Sequence, residues 1–336
     1  MRDGPGTWRT VTAAAGAMAV VISGCDRAPE AGMPIAAQVT FGGLGDTPGR
    51  FGYPRAIDGS TDGKSLWVID KTARVQKIDA ATGKALASWR MPDSEVGKPV
   101  GFCVAPGPGA DGTWRDELLY IADTHYARVM VYEPGDERPR LVGRFGSYGQ
   151  GDGQFIYPTD VAVLLGPDGR SVERIYVGEY GGNDRISVFD GGYRFLFSFG
   201  AWGDGRDTRE VKFARPQSLL IMDVDGKKEL VVADSANHRL GRFTLEGQLI
   251  GWIGTPDRTG DGPGEFRFPY GLAGVGDGTV MVSEFGGNRV QRIDVASGRS
   301  LGSWGRAGRG EGELAAPWAV AVLGRRTFVV DSGNNR

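Results

Sequence analysis

Six carboxylates and six arginines recur along this chain at nearly constant spacing. The acids Asp70, Asp123, Glu179, Asp234, Glu284 and Asp331 each close a short apolar run. An arginine follows each one: Arg74, Arg128, Arg185, Arg239, Arg289 and Arg336. Such a pair could serve acid–base chemistry or hold two pieces of backbone together. A residue type that returns in every repeat answers a need that every repeat has. The pairs are therefore read as structural, the acid accepting backbone N–H groups in a turn and the arginine pairing with it.

Chemistry particular to this protein is expected where the repeats differ. Each repeat begins at a proline, namely Pro54, Pro99, Pro158, Pro216, Pro269 and Pro317. The residues just after the prolines include Arg55, Asp160, Gln217, Tyr270 and Trp318, and those just after the acids include Tyr180 and Phe285. Aromatic rings beside a cation, an acid and an amide suit a small amphipathic ligand, so these seven are the expected ligand-binding residues. The competing reading is that the aromatics only pack the loops. His125, two residues after Asp123, is the candidate general base. His238, in the phrase Asn237-His238-Arg239, reads as a variation of the repeat. Two histidines cannot form a three-histidine zinc site, and no metal ligands are assigned. No cofactor is expected, with calcium or another divalent cation on carboxylates as the alternative. No nucleophile has a readable partner, so no hydrolase triad is expected.

The elements that must carry these residues are short strands. Successive repeat prolines are 45, 59, 58, 53 and 48 residues apart, enough for four strands and their turns. After Pro158 the strands fall at about Thr159–Leu164, Arg174–Glu179, Arg185–Asp190 and Arg194–Gly200, with a Gly166-Pro167-Asp168-Gly169 turn after the first. The 56 glycines fit a protein of turns and close-packed strands. Near the start, Val39-Thr40-Phe41-Gly42 matches the phrases that end the fourth strands, such as Phe197–Gly200. It also precedes its proline by the same 12 residues that separate Gly146 from Pro158 and Gly305 from Pro317. The expectation is one all-β domain over 37–336, a six-bladed β-propeller whose last blade is closed by this N-terminal strand. The given sequence reaches Arg336, where the third strand of the sixth repeat should begin, so a gap is expected there.

The proline, the two hydrophobic positions after it, the Val-x-acid ending, the Asn-x-Arg or Asn-Arg phrase and the closing Phe-Gly or Trp-Gly together resemble the NHL repeat. Ser283-Glu284-Phe285-Gly286-Gly287-Asn288-Arg289-Val290 and the segment from Gly178 to Phe189 carry it best; Ile69-Asp70-Lys71-Thr72-Ala73-Arg74-Val75 carries it least. The resemblance spans 37–336 and implies a propeller. It leaves function open, since NHL propellers include RNA-binding proteins, ubiquitin ligases, sensors, an amidating lyase and bacterial exported proteins. Two cysteines and two histidines cannot build a RING finger, so ligase activity is not expected.

Residues 1–24 read as a secretory signal, with Arg2 and Arg9 ahead of an apolar run, Val11–Ile22, too short to span a bilayer. Ile22-Ser23-Gly24-Cys25 resembles a bacterial lipobox. Cys25 is the expected lipidation site and 25–36 a tether. The expected location is a membrane, lipid-anchored, facing the periplasm or exterior. The formal charge is −2, and losing Arg2, Asp3 and Arg9 with the signal makes it −3, which offers no basic field for nucleic acid. Acylation of Cys25 would leave Cys103 as a lone thiol, read as a core residue. The expected function is a monomeric binding module for a protein or small ligand. The alternative is a propeller lyase or hydrolase with a divalent cation at the channel mouth.

Overall fold

The computed structural model describes residues 21–23 and 37–336, apart from 97, 136–137, 205–209 and 256–257. The chain is an all-β propeller. Five antiparallel sheets of four strands follow one another along the sequence, each ordered from the channel outward. Blade one is Pro54–Gly59, Ser65–Asp70, Arg74–Asp79 and Ala85–Arg90. Blade two is Gly101–Pro108, Trp114–Asp123, Arg128–Glu133 and Arg140–Phe145. Blade three is Tyr157–Leu165, Val172–Tyr180, Arg185–Asp190 and Phe195–Phe199, close to the strands expected from sequence. Blade four is Pro216–Val224, Lys227–Asp234, Arg239–Phe243 and Leu249–Ile253. Blade five is Pro269–Gly274, Thr279–Glu284, Arg289–Asp294 and Ser300–Trp304.

The sixth repeat corrects the expectation of six full blades. It contributes one antiparallel pair, Pro317–Leu323 with Arg326–Asp331, which packs between blade five and blade one. A three-residue strand, Val21–Ser23, runs antiparallel along the outer edge of Arg326–Asp331. The N-terminal strand closure is also corrected, because 39–42 forms no ladder with this sheet. That edge is taken by Val21–Ser23, and Val39–Gly42 pairs with neither strand. The segment contributes side-chain packing instead: Phe41 is buried with Leu66, Ile78, Leu323 and Phe328. Further bonds tie the two ends of the ring. The Gly43 N–H donates to the Asn335 carbonyl at 2.7 Å, the Tyr53 N–H to Asn335 Oδ1 at 2.8 Å, and Arg326 to the Ala80 carbonyl at 3.1 Å. Cys25 and the tether lie outside the described residues.

The core consists of apolar seams between neighbouring sheets. Trp67, Ile69 and Trp89 of blade one meet Phe102, Leu119 and Tyr132 of blade two. Tyr176 and Val188 of blade three meet Leu219, Val232 and Phe243 of blade four. Alternation along each strand serves both neighbours, which explains near-complete burial of second strands such as Ser65–Asp70. The loops leading into the next blade are fastened by a plug residue. Phe155 is fully buried, and a Cβ on Gly146 (φ +90°) would reach its ring, so only glycine permits this packing.

The repeat acids sit in ion pairs. Every one pairs with its arginine: Asp70–Arg74 at 3.0 Å, Asp123–Arg128 and Asp234–Arg239 at 2.8 Å, and Glu179–Arg185, Glu284–Arg289 and Asp331–Arg336 at 2.7 Å. Five of the acids also accept the N–H of the residue two before the blade proline: Gly52, Ile156, Ala214, Arg267 and Ala315. The arginines reach on to carbonyls of the same loops, as Arg185 does to Gly151 and Gln154 and Arg289 to Asp261 and Glu265. Burial pushes the Asp234 carboxyl up to about 6 even with Arg239 beside it, so desolvation offsets much of the attraction. Removing one partner of a fully buried pair strands the other. Asp234→Ala is therefore expected to cost about 3–5 kcal/mol in urea unfolding, and an unchanged midpoint would show that the pair does not hold the loop.

Candidate functional site at the channel mouth

The mouth is built by two local devices. The first is a β-bulge at the start of every innermost strand except that of blade two. The ladder skips one residue between Pro54 and Ala56, Pro158 and Asp160, Pro216 and Ser218, Pro269 and Gly271, and Pro317 and Ala319. The skipped residues, Arg55, Thr159, Gln217, Tyr270 and Trp318, are freed from regular pairing and stand at one end of the channel. The second device is a left-handed residue before the proline, Tyr53 (φ 58°), Arg215 (φ 61°), Phe268 (φ 51°) and Ala316 (φ 50°). Its N–H is caught by the side chain just ahead of a repeat arginine. The acceptors are Asn335 for Tyr53, Asp184 for Arg215, His238 Nδ1 for Phe268 and Asn288 for Ala316. His238 thus does the task that asparagine does in other repeats.

A cavity of about 230 Å³ occupies the channel below the mouth. Arg55, Asp160, Gln217, Tyr270 and Trp318 all line it, so five of the seven expected ligand residues converge. Phe285 stacks on Tyr270 with centroids 4.6 Å apart and meets the edge of Trp318 at 5.5 Å. Tyr180 joins through Arg215, whose guanidinium lies 4.9 Å from the Tyr180 ring and 5.1 Å from that of Tyr270. Tyr270 and Trp318 are themselves buried against each other, at 5.0 Å. The two rings pack on each other and form a wall of the cavity. His125 lies outside the cavity, on the rim. Its Nδ1 is 2.8 Å from the Val96 carbonyl and its ring meets Tyr157 edge-on at 5.8 Å. Donation from Nδ1 leaves Nε2 as an acceptor.

Two cations stand over this wall. The Arg55 guanidinium lies 4.7 Å from the Trp318 ring and 5.9 Å from Tyr53, and desolvation lowers its pKa. Arg215 donates Nε to Gln217 Oε1 at 2.9 Å. Two acids sit deeper. Asp58 accepts the Val104 N–H of the next blade at 2.8 Å, and Asp160 accepts Ser218 Oγ and the Leu219 N–H, both at 2.9 Å. No cation offsets the burial of either, so desolvation lifts Asp58 to about 6 and Asp160 to about 7. Cys103 also lines the cavity, and burial with these acids beside it pushes its thiol well up. Among the described residues no three His, Cys, Asp or Glu side chains group to hold a metal ion.

Sequence reasoning missed Arg215, Tyr53 and Asp58. The first two occupy the position before the proline, two residues from Gln217 and Arg55 respectively. Asp58 was visible as a charge in an otherwise apolar innermost strand.

No protein-family model matches the chain, and no curated protein matches it. Solved structures show the fold. A structural-genomics protein of unknown function from Bacteroides thetaiotaomicron aligns with a TM-score of 0.60 at 16% identity, over 87% of this chain and 70% of that one. A streptogramin B lyase aligns at 0.54 and 16%, over 86% and 78%. Hydrazine synthase from Kuenenia stuttgartiensis aligns at 0.53 and 15%, over 87% and 96%. At such identities the likeness is one of fold.

Asp160 makes stability depend on pH. Its folded pKa is raised, so the folded state binds more protons than the unfolded one between about 4 and 7. Its contribution is full below that window and lost as pH rises through it, by at most about 1.4 kcal/mol per pH unit. Asp160→Asn should flatten this slope and be more stable than wild type under mildly alkaline conditions; a steeper decline in urea midpoints for the variant would refute the assignment.

Proposed function

We propose that the protein is a membrane-anchored, extracytoplasmic propeller of NHL-like repeats that binds a small ligand or a protein at the channel mouth. The observation that carries this reading is the convergence of Arg55, Asp160, Gln217, Tyr270 and Trp318 on one cavity, all from positions where the repeats differ. Repeated positions are consumed by ion pairs and loop bonds, and the variable ones are gathered in one place. Phe285, Tyr180 and Arg215 extend the wall outward. Export and anchoring rest on the signal-like residues 1–24 and the lipobox at Cys25.

A lyase remains the second reading, favoured by the His125 tautomer, which leaves Nε2 as a base on the rim. A divalent cation would then be recruited with substrate. The two readings separate on one pair of variants. If the mouth binds, Tyr270→Ala with Trp318→Ala abolishes ligand-induced melting shifts of the detergent-solubilised full-length protein in a metabolite screen, while His125→Ala leaves them intact. Turnover of a lactone that His125→Ala alone removes would establish the enzyme instead.

The anchor has its own test. Cys25→Ala should leave an uncleaved precursor or release the protein, because a multiply acylated cysteine holds through about 0.8 kcal/mol per buried CH₂. Membrane fractionation that recovers mature variant and wild type equally in the membrane would rule out lipidation.

A further inference from the structure

We infer that the mouth takes a carboxylate carried on a planar, apolar body, held between the guanidinium groups of Arg55 and Arg215. This rests on the binding reading above and specifies its ligand.

The argument starts from how arginines are used elsewhere in the molecule. In the scaffold each repeat arginine faces a buried carboxylate of its own blade. Arg55 and Arg215 depart from that pattern, with no ion pair to either among the described residues. Asp184, the acid nearest Arg215 in the bonding pattern, is already occupied by the backbone N–H groups of Arg215 at 2.7 Å and Gly182 at 3.0 Å. Among the described residues, Arg55 keeps a buried Nε–H without an acceptor, and its one hydrogen bond, from Nη1 to the Lys98 carbonyl, is long at 3.4 Å. A buried, unpaired donor on a cation is expensive unless something supplies the acceptor.

The geometry indicates what that something is. Both guanidiniums lie over rings, Arg55 over Trp318 and Arg215 over Tyr180 and Tyr270. Stacking uses the faces of a guanidinium and leaves its N–H edge free for bidentate bonds to an oxyanion. The two cations flank the Tyr270–Trp318 pair, so an anion seated across that pair meets donors from both sides. The rings of Tyr53, Phe285 and Trp318 offer a surface for a flat apolar body. The floor argues against a dianion: Asp58 and Asp160 line the same cavity and would repel a second negative charge as they ionise. A single carboxylate on a flat ring meets all of these conditions, and the cavity's 230 Å³ has room for part of it.

The test uses benzoate, benzamide and inorganic phosphate with the detergent-solubilised full-length protein in titration calorimetry at neutral pH. One equivalent of benzoate is expected to bind, with benzamide and phosphate each weaker by about tenfold or more, the cost of losing a charge-assisted bond. Arg55→Gln and Arg215→Gln should each weaken benzoate by about tenfold or more. Arg55→Gln should also melt no lower than wild type, since it removes a desolvated charge; a purely structural arginine would lower the melting temperature instead. Benzamide binding as tightly as benzoate, with both lost in Trp318→Ala, would overturn the clamp and keep the mouth as a binding site. Phosphate binding as tightly as benzoate would overturn the carboxylate class. Silence from all three probes would overturn the inference, leaving the mouth to be judged by the ligand screen above.

Discussion

Everything at the mouth depends on one buried interaction made in every repeat, a carboxylate at the end of the second strand held by the arginine four to six residues on. The apolar seams between sheets supply most of the driving force for the ring, but burial is non-directional. It does not decide where a loop crosses the top of the channel. The ion pair does. In blade three Glu179 accepts the Ile156 N–H and Arg185, and Arg185 in turn reaches the carbonyls of Gly151 and Gln154. One acid and one base therefore pin a whole inter-blade loop and fix the direction in which the chain enters the next innermost strand. The bulge residue after the proline, which faces the mouth, inherits its position from that pin.

This accounts for which features could be read from sequence. The acids, arginines and prolines are repeated because every blade solves the same loop problem, and repetition is what a sequence displays most openly. His238 was read as a variation of the repeat, and its Nδ1 accepts the Phe268 N–H as Asn288 accepts that of Ala316. The mouth residues after the prolines were legible by difference. Arg215 and Tyr53 were not, because the left-handed turn that lifts them into the mouth depends on a capping side chain far away in sequence, Asp184 and Asn335 respectively. The closing strand was misjudged for a related reason. Val39–Gly42 has the composition of a fourth strand, but a strand needs a neighbour to pair with, and its phrase alone cannot show whether one stands beside it. Its phenylalanine still takes the expected burial, so packing preference survived where hydrogen-bonding preference did not.

The site also shows how similar groups take different roles according to their surroundings. Asp160 and Asp234 are both buried aspartates, and both accept backbone N–H groups. Asp234 has an arginine within 2.8 Å and an asparagine at the same distance, and together they make it a fixture. Asp160 has a hydroxyl and an amide but no cation, so its charge is held only by dipoles and its carboxyl rises to about 7. The same contrast divides the arginines. Arg239 lies fully buried between Asp234 and the Trp252 ring, 3.4 Å from the latter, whereas Arg55 has the ring without the acid.

That asymmetry is the strongest argument for placing function at the mouth. A propeller selected for stability alone would gain by pairing Arg55 or by replacing it with an apolar residue, and by removing Asp58 and Asp160 from the channel. The repeat offers ready means to do so, since five of the six positions after the repeat prolines, Val100, Thr159, Gln217, Tyr270 and Trp318, carry no charge. Six well-compensated pairs in the scaffold show that the chain can neutralise buried charge wherever the fold requires it. In this cavity, by contrast, charge is left without an ion pair, with cations at its rim and acids at its floor. Such an arrangement costs stability in the free protein and is repaid only when a complementary molecule arrives, which is the behaviour of a binding site and not of a packed channel.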